Sequence, residues 1–252
     1  MEYFVQPGSI VRKVWGKSDT ILFIFAGSAA EFALNKAVDW LYFTGRLPAD
    51  PIGRLFSTVR YARGIIFSSH EEAIKTIDRI TAIHSGVEKA RSAQIPAWAY
   101  RDVLYMLIHY SIASYELLER KLSDEEKAEL YDVFYRLGKR MQLEELPANY
   151  IEWLPHREAH MQNDLRYSDY TRDLFQQYKK HLGSTRYRVL LEAQKLVMPL
   201  TVRKMLAMDT TRWLKPVVPL YKFSRLIRMD GVVKSFLLPS AYHQQIKELD
   251  VT

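Results

Sequence analysis

The stretch ADPIGRLFSTVRYARGIIFSSHEEAIKTIDRITAIHSGV, residues 49–87, decides the fold class. Asp50 followed by Pro51 is a helix start. The carboxylate accepts a free first-turn amide, and the proline ring presets φ where no amide is needed. Ile52, Leu55, Val59 and Ala62 then recur at helical spacing. Ser69 is the next cap, and Glu71 and Glu72 sit where the positive end of the helix dipole favours acids. The stripe Ala73, Ile74, Ile77, Ile80, Ile83/His84, Val87 continues that helix. The stretch therefore predicts two successive amphipathic helices joined by a few residues.

The same grammar holds on either side. Upstream, Ile21 to about Leu41 predicts a buried helix, and residues 1–20 are expected to be irregular around Gly8 and Gly16. Residues 45–54 read as a loop. Downstream, Pro96 opens a helix over Ala97–Glu119, with a core face of Trp98, Asp102, Tyr105, His109, Ile112 and Tyr115/Glu116. Ser123-Asp124-Glu125-Glu126 is a capping box in front of a helix to Met141. Residues 146–155 read as a loop and a short helix, and further helices are expected over Pro155–Leu165, Asp169–Leu182, Tyr187–Leu196, Pro199–Met208 and 213–228, with a tail over 230–252 that contains Pro239. No stretch alternates cleanly enough for a strand. The expectation is an all-α chain, a single domain of about eight to ten helices over residues 1–252 with irregular termini.

Composition narrows the function classes. Lys+Arg is 36 and Asp+Glu is 29, a formal charge of +7, dispersed along the chain rather than gathered on one helix. That dispersal argues against nucleic-acid binding. There are no cysteines, which removes disulfides, thiolate metal sites and cysteine nucleophiles together. The most apolar run, ILFIFAGSAA at 21–30, is half the roughly 20 residues that a membrane span needs. It reads as buried helix, with peripheral membrane contact left open and a cytoplasmic location as the default.

Seven histidines are candidate ligands: His70, His84, His109, His156, His160, His181 and His243. His156 and His160 are four apart, so a helix puts both on one side, with Asp164 one turn on. They read as an exposed polar face or as a two-histidine, one-carboxylate metal site. His109 lies in YMLIHYSIAS and reads as a buried imidazole that needs a partner or a metal. His84 ends an apolar stripe. Lys75, Arg79, Arg60 and Arg63 read as a solvated face or as partners for anionic groups. Neither a GxSxG elbow nor a phosphate-binding glycine loop is present. The acidic pairs Glu71/Glu72 and Glu125/Glu126 lie in first turns, where capping explains them.

Residues 49–87 also resemble the MpaB-type and rubber-oxygenase (latex-clearing protein) catalytic domain family. The resemblance rests on Asp50, Pro51, Gly53, Arg54 and Thr58, then Gly64, then Glu71-Glu72-Ala73, then Ile83, His84 and Gly86. Leu107-Ile108-His109 stands where the family has a second histidine motif, and VMPLTVRKMLAM at 197–208 is similar to its closing segment. The likeness extends over about residues 8–230. Leu107 replaces a tryptophan of the family pattern, and Asn35 falls near a family histidine.

The resemblance implies an all-helical heme b oxygenase fold acting with dioxygen on an apolar, isoprenoid-like substrate. It implies His109 as the iron ligand. Arg79, with Thr81 or His84, would line the opposite side, and Lys75 and Arg60 would join Arg79 in contacting the cofactor. The alternatives are a family-fold protein without heme that is structural or binds an apolar ligand, and a non-heme metal enzyme built on His156 and His160.

Overall fold

The computed structural model describes residues 2–45 and 49–226, so the expected tail at 230–252 and the last residues of the helix expected at 213–228 lie outside it. The described residues form eleven helices and no strand, with two isolated bridges, Tyr3 to Ser69 and Asn35 to Leu165. The chain is all-α.

The first difference from expectation is at the N-terminus. Residues 10–15 and 18–20 are helix rather than irregular chain, with only Gly16 and Lys17 between them. Ser9 caps α1 (Ile10–Trp15), its oxygen accepting from the Val11 amide at 3.1 Å. Ile10, Val11, Val14 and Trp15 are all buried, because that spacing puts four apolar side chains on one face of a short helix. The Trp15 indole donates to Ser111 at 3.1 Å.

The run at 21–30 falls inside α2 (Ser18–Phe32), which is buried along most of its length. Among the described residues no helix is long and apolar enough to cross a membrane. Next come α3 (Val38–Phe43), α4 (Pro51–Ile66), α5 (His70–Arg91), α6 (Ala97–Leu118) and α7 (Asp124–Arg140). Asp50 caps α4 by accepting from the Gly53 amide at 2.8 Å, and α5 and α7 start on the capping boxes Ser69/Glu72 and Ser123/Glu126.

The second difference is α8 (Tyr150–Asn163). The short helix expected within 146–155 and the one expected from Pro155 are a single helix with Pro155 inside it, started where the Asn149 oxygen accepts from the Glu152 amide at 3.0 Å. The two helices expected on either side of residue 183 run on as α9 (Asp169–Val197), broken at Gly183. Gly183 has φ 74°, a conformation open to glycine at no steric cost. The short α10 (Leu200–Met205) and α11 (Val217–Leu226) complete the described chain.

α2 and α6 form the most extensive helix pair, and α9 packs across both. Gly27 sits at that crossing, where a Cβ would stand 2.2 Å from the Tyr110 ring. A large apolar core surrounds this pair, drawn from α1, α2 and α4 through α9. This arrangement sets an apolar cavity on one side of the pair and a buried polar network on the other faces of α2 and α6.

Candidate functional site

The cavity measures about 540 Å³ and is lined almost wholly by apolar side chains from α2 through α7, α9 and α11. That volume is in the range of small-molecule sites. Besides Tyr61, Tyr100, Tyr178 and Tyr221, its polar groups are Ser28, Arg54, Thr58, His84 and Arg186, with Asp19 on the α11 side. Asp19 accepts from the Tyr221 hydroxyl at 3.1 Å and pairs with Arg225 at 3.3 Å. Ser28 Oγ and His84 Nδ1 are buried with no hydrogen-bond partner.

His84 packs edge-on against Tyr100, ring centroids 5.1 Å apart. Burial and the Arg54 cation hold its pKa below the ordinary histidine value, and Glu88 opposes them only in part. The ring is therefore neutral near pH 7, with a lone pair on one nitrogen.

The other residues expected around a cofactor are placed differently. Arg79 and Lys75 are exposed on α5, and Lys75 pairs with Glu71 at 2.5 Å. Arg60 is exposed on α4. Thr81 donates to the Ile77 carbonyl at 3.2 Å and faces a surface groove with Asp78, Ser85 and Arg140. The cause is helical phase. Ile77, Ile80 and His84 recur at three and four, so they share the inward face. Lys75 and Arg79 fall on the outward one.

His109 is not among the residues that line the cavity. It lies on the α6 side toward α9, with a backbone hydrogen bond to Val197. Its Nε2 is buried and has no partner. Burial, then the Arg157 cation, lower its pKa to about 3 against a smaller opposing effect of Glu31. A depressed histidine costs stability in acid. The unfolded chain takes up a proton near pH 6.5, while the folded one resists until about pH 3. Stability is therefore full above pH 6.5 and falls across that window, by up to about 5 kcal/mol from this group. Urea midpoints measured from pH 7 to pH 4 are expected to fall less steeply in His109→Gln than in the wild type. Equal slopes would show that another group titrates there.

The second constellation is a buried polar network between α2, α6 and α8. Glu31 is fully buried and receives both Arg157 terminal nitrogens at 2.5 Å, the Tyr110 hydroxyl at 2.9 Å and His160 Nε2 at 2.9 Å. Burial works to raise the Glu31 pKa, but Arg157 and His160 outweigh it and hold the group far below the usual carboxylate range. On the other side of the imidazole, Nδ1 is 2.7 Å from Asp102 Oδ1 and 3.7 Å from Asp164 Oδ2. Asp102 Oδ2 accepts from Asn35 Nδ2 at 2.8 Å. Burial opposes the charge on His160, yet Asp102 and Glu31 raise its pKa to about 9. The Asp164 carboxyl is pushed up by its burial and by the neighbouring Asp102 charge.

The alternative that pairs His156 with His160 at a metal does not form, and the exposed polar face holds for His156 but not for buried His160. His156 is exposed, whereas the inward face of α8 carries Trp153, Arg157 and His160, spaced by four and three. The network's anchor, Glu31, was missed in the sequence. The available signal was its place in the stripe Ile24, Gly27, Ala30, Glu31, which puts a carboxylate on a buried face.

No curated protein and no solved structure matches the chain. A model of one family matches residues 13–229, most of the chain's length. Its description is the ER-bound oxygenase mpaB/B'/rubber oxygenase catalytic domain, and the chain belongs to that family.

Proposed function

We propose that the protein is an oxygenase of an apolar, isoprenoid-like small molecule, with heme b as its cofactor and dioxygen as co-substrate. The observation that carries this is the apolar cavity with the neutral His84 imidazole in its wall, one buried ring nitrogen unpartnered. Leu, Ile, Phe and Val side chains of the wall exclude water and bind hydrocarbon by the area they remove from solvent.

The residues present fit a heme in their donor chemistry. Iron takes a neutral imidazole nitrogen, and both His84 and His109 are held neutral with a buried nitrogen unpartnered. The Val197 carbonyl on the far side of His109 is the kind of outer partner that orients a ligating histidine. Arg54 and Arg186 bring positive charge to the cavity wall, where carboxylate groups of a cofactor would be received. When bound, heme supplies activation of dioxygen. The chain's own part is to hold an imidazole lone pair ready, keep the chamber dry and orient the hydrocarbon.

A second reading is favoured by one observation. His109 already has a backbone partner and stands outside the cavity wall, as expected of a heme-free protein that binds an apolar ligand.

An absorption spectrum separates the two readings. Protein expressed with added heme precursor is expected to show a Soret band, with close to one heme per chain by pyridine hemochrome. The band should be lost or shifted in either His109→Ala or His84→Ala, and the variant affected identifies the ligand. Folded wild-type protein that takes up no heme would overturn the heme reading and leave the apolar-ligand one.

A further inference from the structure

We propose that Asp102, His160 and Asp164 form a binding site for one divalent transition-metal cation, separate from the apolar cavity and independent of any heme. The ligand atoms are Asp102 Oδ1, His160 Nδ1 and Asp164 Oδ2, contributed by α6 and by the C-terminal end of α8, and all lie within 4.8 Å of one another. Two atoms each about 2.1 Å from a shared ion stand at most about 4.2 Å apart. The separations of 2.7 Å and 3.7 Å meet that limit as they are. The remaining pair, within 4.8 Å, needs a closure of at most about 0.6 Å, which the half-exposed end of α8 can supply.

Three further observations point to an ion. The first is the imidazole itself. His160 is 3% exposed, and its Nδ1 is buried between the Asp102 and Asp164 oxygens, close to both and in aligned hydrogen-bond geometry with neither.

The second is the outer layer. Metal-binding histidines hold their other nitrogen on a carboxylate, and the ligating carboxylates are themselves hydrogen-bonded. Here Glu31 takes His160 Nε2 at 2.9 Å, and Asn35 donates to the second oxygen of Asp102 at 2.8 Å. Both ligands are thus oriented from behind before an ion arrives.

The third is charge. Arg157 is taken up by Glu31 in a two-pronged pair, so the cation that lies directly between Asp102 and Asp164 is the His160 imidazolium. Lys36 is near Asp164 but extends to the Asn163 carbonyl on the surface. A doubly charged ion with a neutral imidazole balances the two carboxylates. It takes the place of the Nδ1 proton.

One nitrogen and two carboxylate oxygens suit Mn²⁺, Fe²⁺ or Zn²⁺. Asp164, with a side chain 23% exposed, opens the site to solvent. The ion would tie α8 to α6 at the point where Asn35 and Leu165 also bridge the chain.

The test uses the full chain, stripped with EDTA and dialysed. Mn²⁺ is titrated and followed by the loss of its free EPR signal, and Zn²⁺ is titrated separately by calorimetry. One saturable ion per chain is expected for at least one of the two. Asp164→Asn, whose side chain lies at the edge of the core, should fold, as checked by circular dichroism, and weaken binding by at least about 100-fold. Asn35→Ala is expected to weaken it by about 10- to 100-fold through the outer layer. His156→Ala, exposed and outside the cluster, should bind as the wild type does. Absence of saturable binding of both ions, or unchanged affinity in folded Asp164→Asn, overturns the proposal. Heme content measured on the same samples reads the oxygenase proposal separately.

Discussion

Glu31→Gln is expected to destabilise the protein by about 3–5 kcal/mol, the cost of leaving a buried cation without its counter-charge. The carboxylate accepts both terminal nitrogens of Arg157, and it also accepts from Tyr110 and His160. Glutamine keeps the shape but offers one oxygen. Its amide nitrogen would face donors that have no other acceptor. Arg157 is 4% exposed, so water does not replace the lost charge. Against a whole-domain stability of about 5–15 kcal/mol, the loss is a large fraction. Urea unfolding at pH 7, followed by helical circular dichroism, measures it. Replacing Glu31 and Arg157 together by methionine should cost less than removing Glu31 alone, because the desolvated cation goes with its partner. A single-variant loss below about 1 kcal/mol would mean that the network is wetter than its burial implies.

Gly27→Ala is the second large effect. Alanine is the better helix former by about 1 kcal/mol, so an exposed position would gain. At Gly27 the added carbon would stand 2.2 and 2.3 Å from Tyr110 ring atoms and 2.9 Å from Val197 Cγ2. Tyr110 is fully buried and tethered to Glu31 through its hydroxyl, so the ring cannot swing away and keep its bond. Overpacking costs about 1–3 kcal/mol. A lost hydrogen bond to a charged acceptor costs about 1.5–3 kcal/mol. The expected net loss is about 2–4 kcal/mol once the helix gain is subtracted. Gly86→Ala is the control: nothing lies within 4 Å of its Cβ, and a gain of about 0.5–1 kcal/mol is expected. Thermal unfolding of the two variants should move in opposite directions.

Both predictions concern residues that local patterning places in helices without giving their partners. Asp50-Pro51, Ser69/Glu72 and Ser123/Glu126 announce their helices in the sequence because a cap and its amide are within three residues of each other. The apolar run at 21–30 announces α2 in the same way. α1 is faint in the sequence because a six-residue helix holds barely two repeats of the apolar pattern, and Gly16 closes it at once. The continuity of α8 is hard to read because Pro155 is a loud start signal, although it stands inside the helix that Asn149 caps.

The site was legible in fragments. The apolar stripe of α5 carries His84 at its end, and His84 lines the cavity wall. Asp102 and His109 were placed on the core face of α6. What could not be read was which of the charged residues leave the solvent. Arg79 and Arg157 look alike in the sequence, each beside apolar positions on a helix. Arg79 is exposed, whereas Arg157 is buried because α2 brings Glu31 opposite it.

The sequence by itself determined the helical class, most helix starts and the family, since each depends on caps, periodicity and spacing within a few tens of residues. Tertiary structure alone decided where the cavity lies and joined Glu31, Asp102, Arg157 and His160. Those residues stand 126 or more positions apart for Glu31 with Arg157 and His160. Whether a buried charge is tolerated depends on a partner within about 3 Å, and that distance is set by how helices cross, which short-range pattern does not encode.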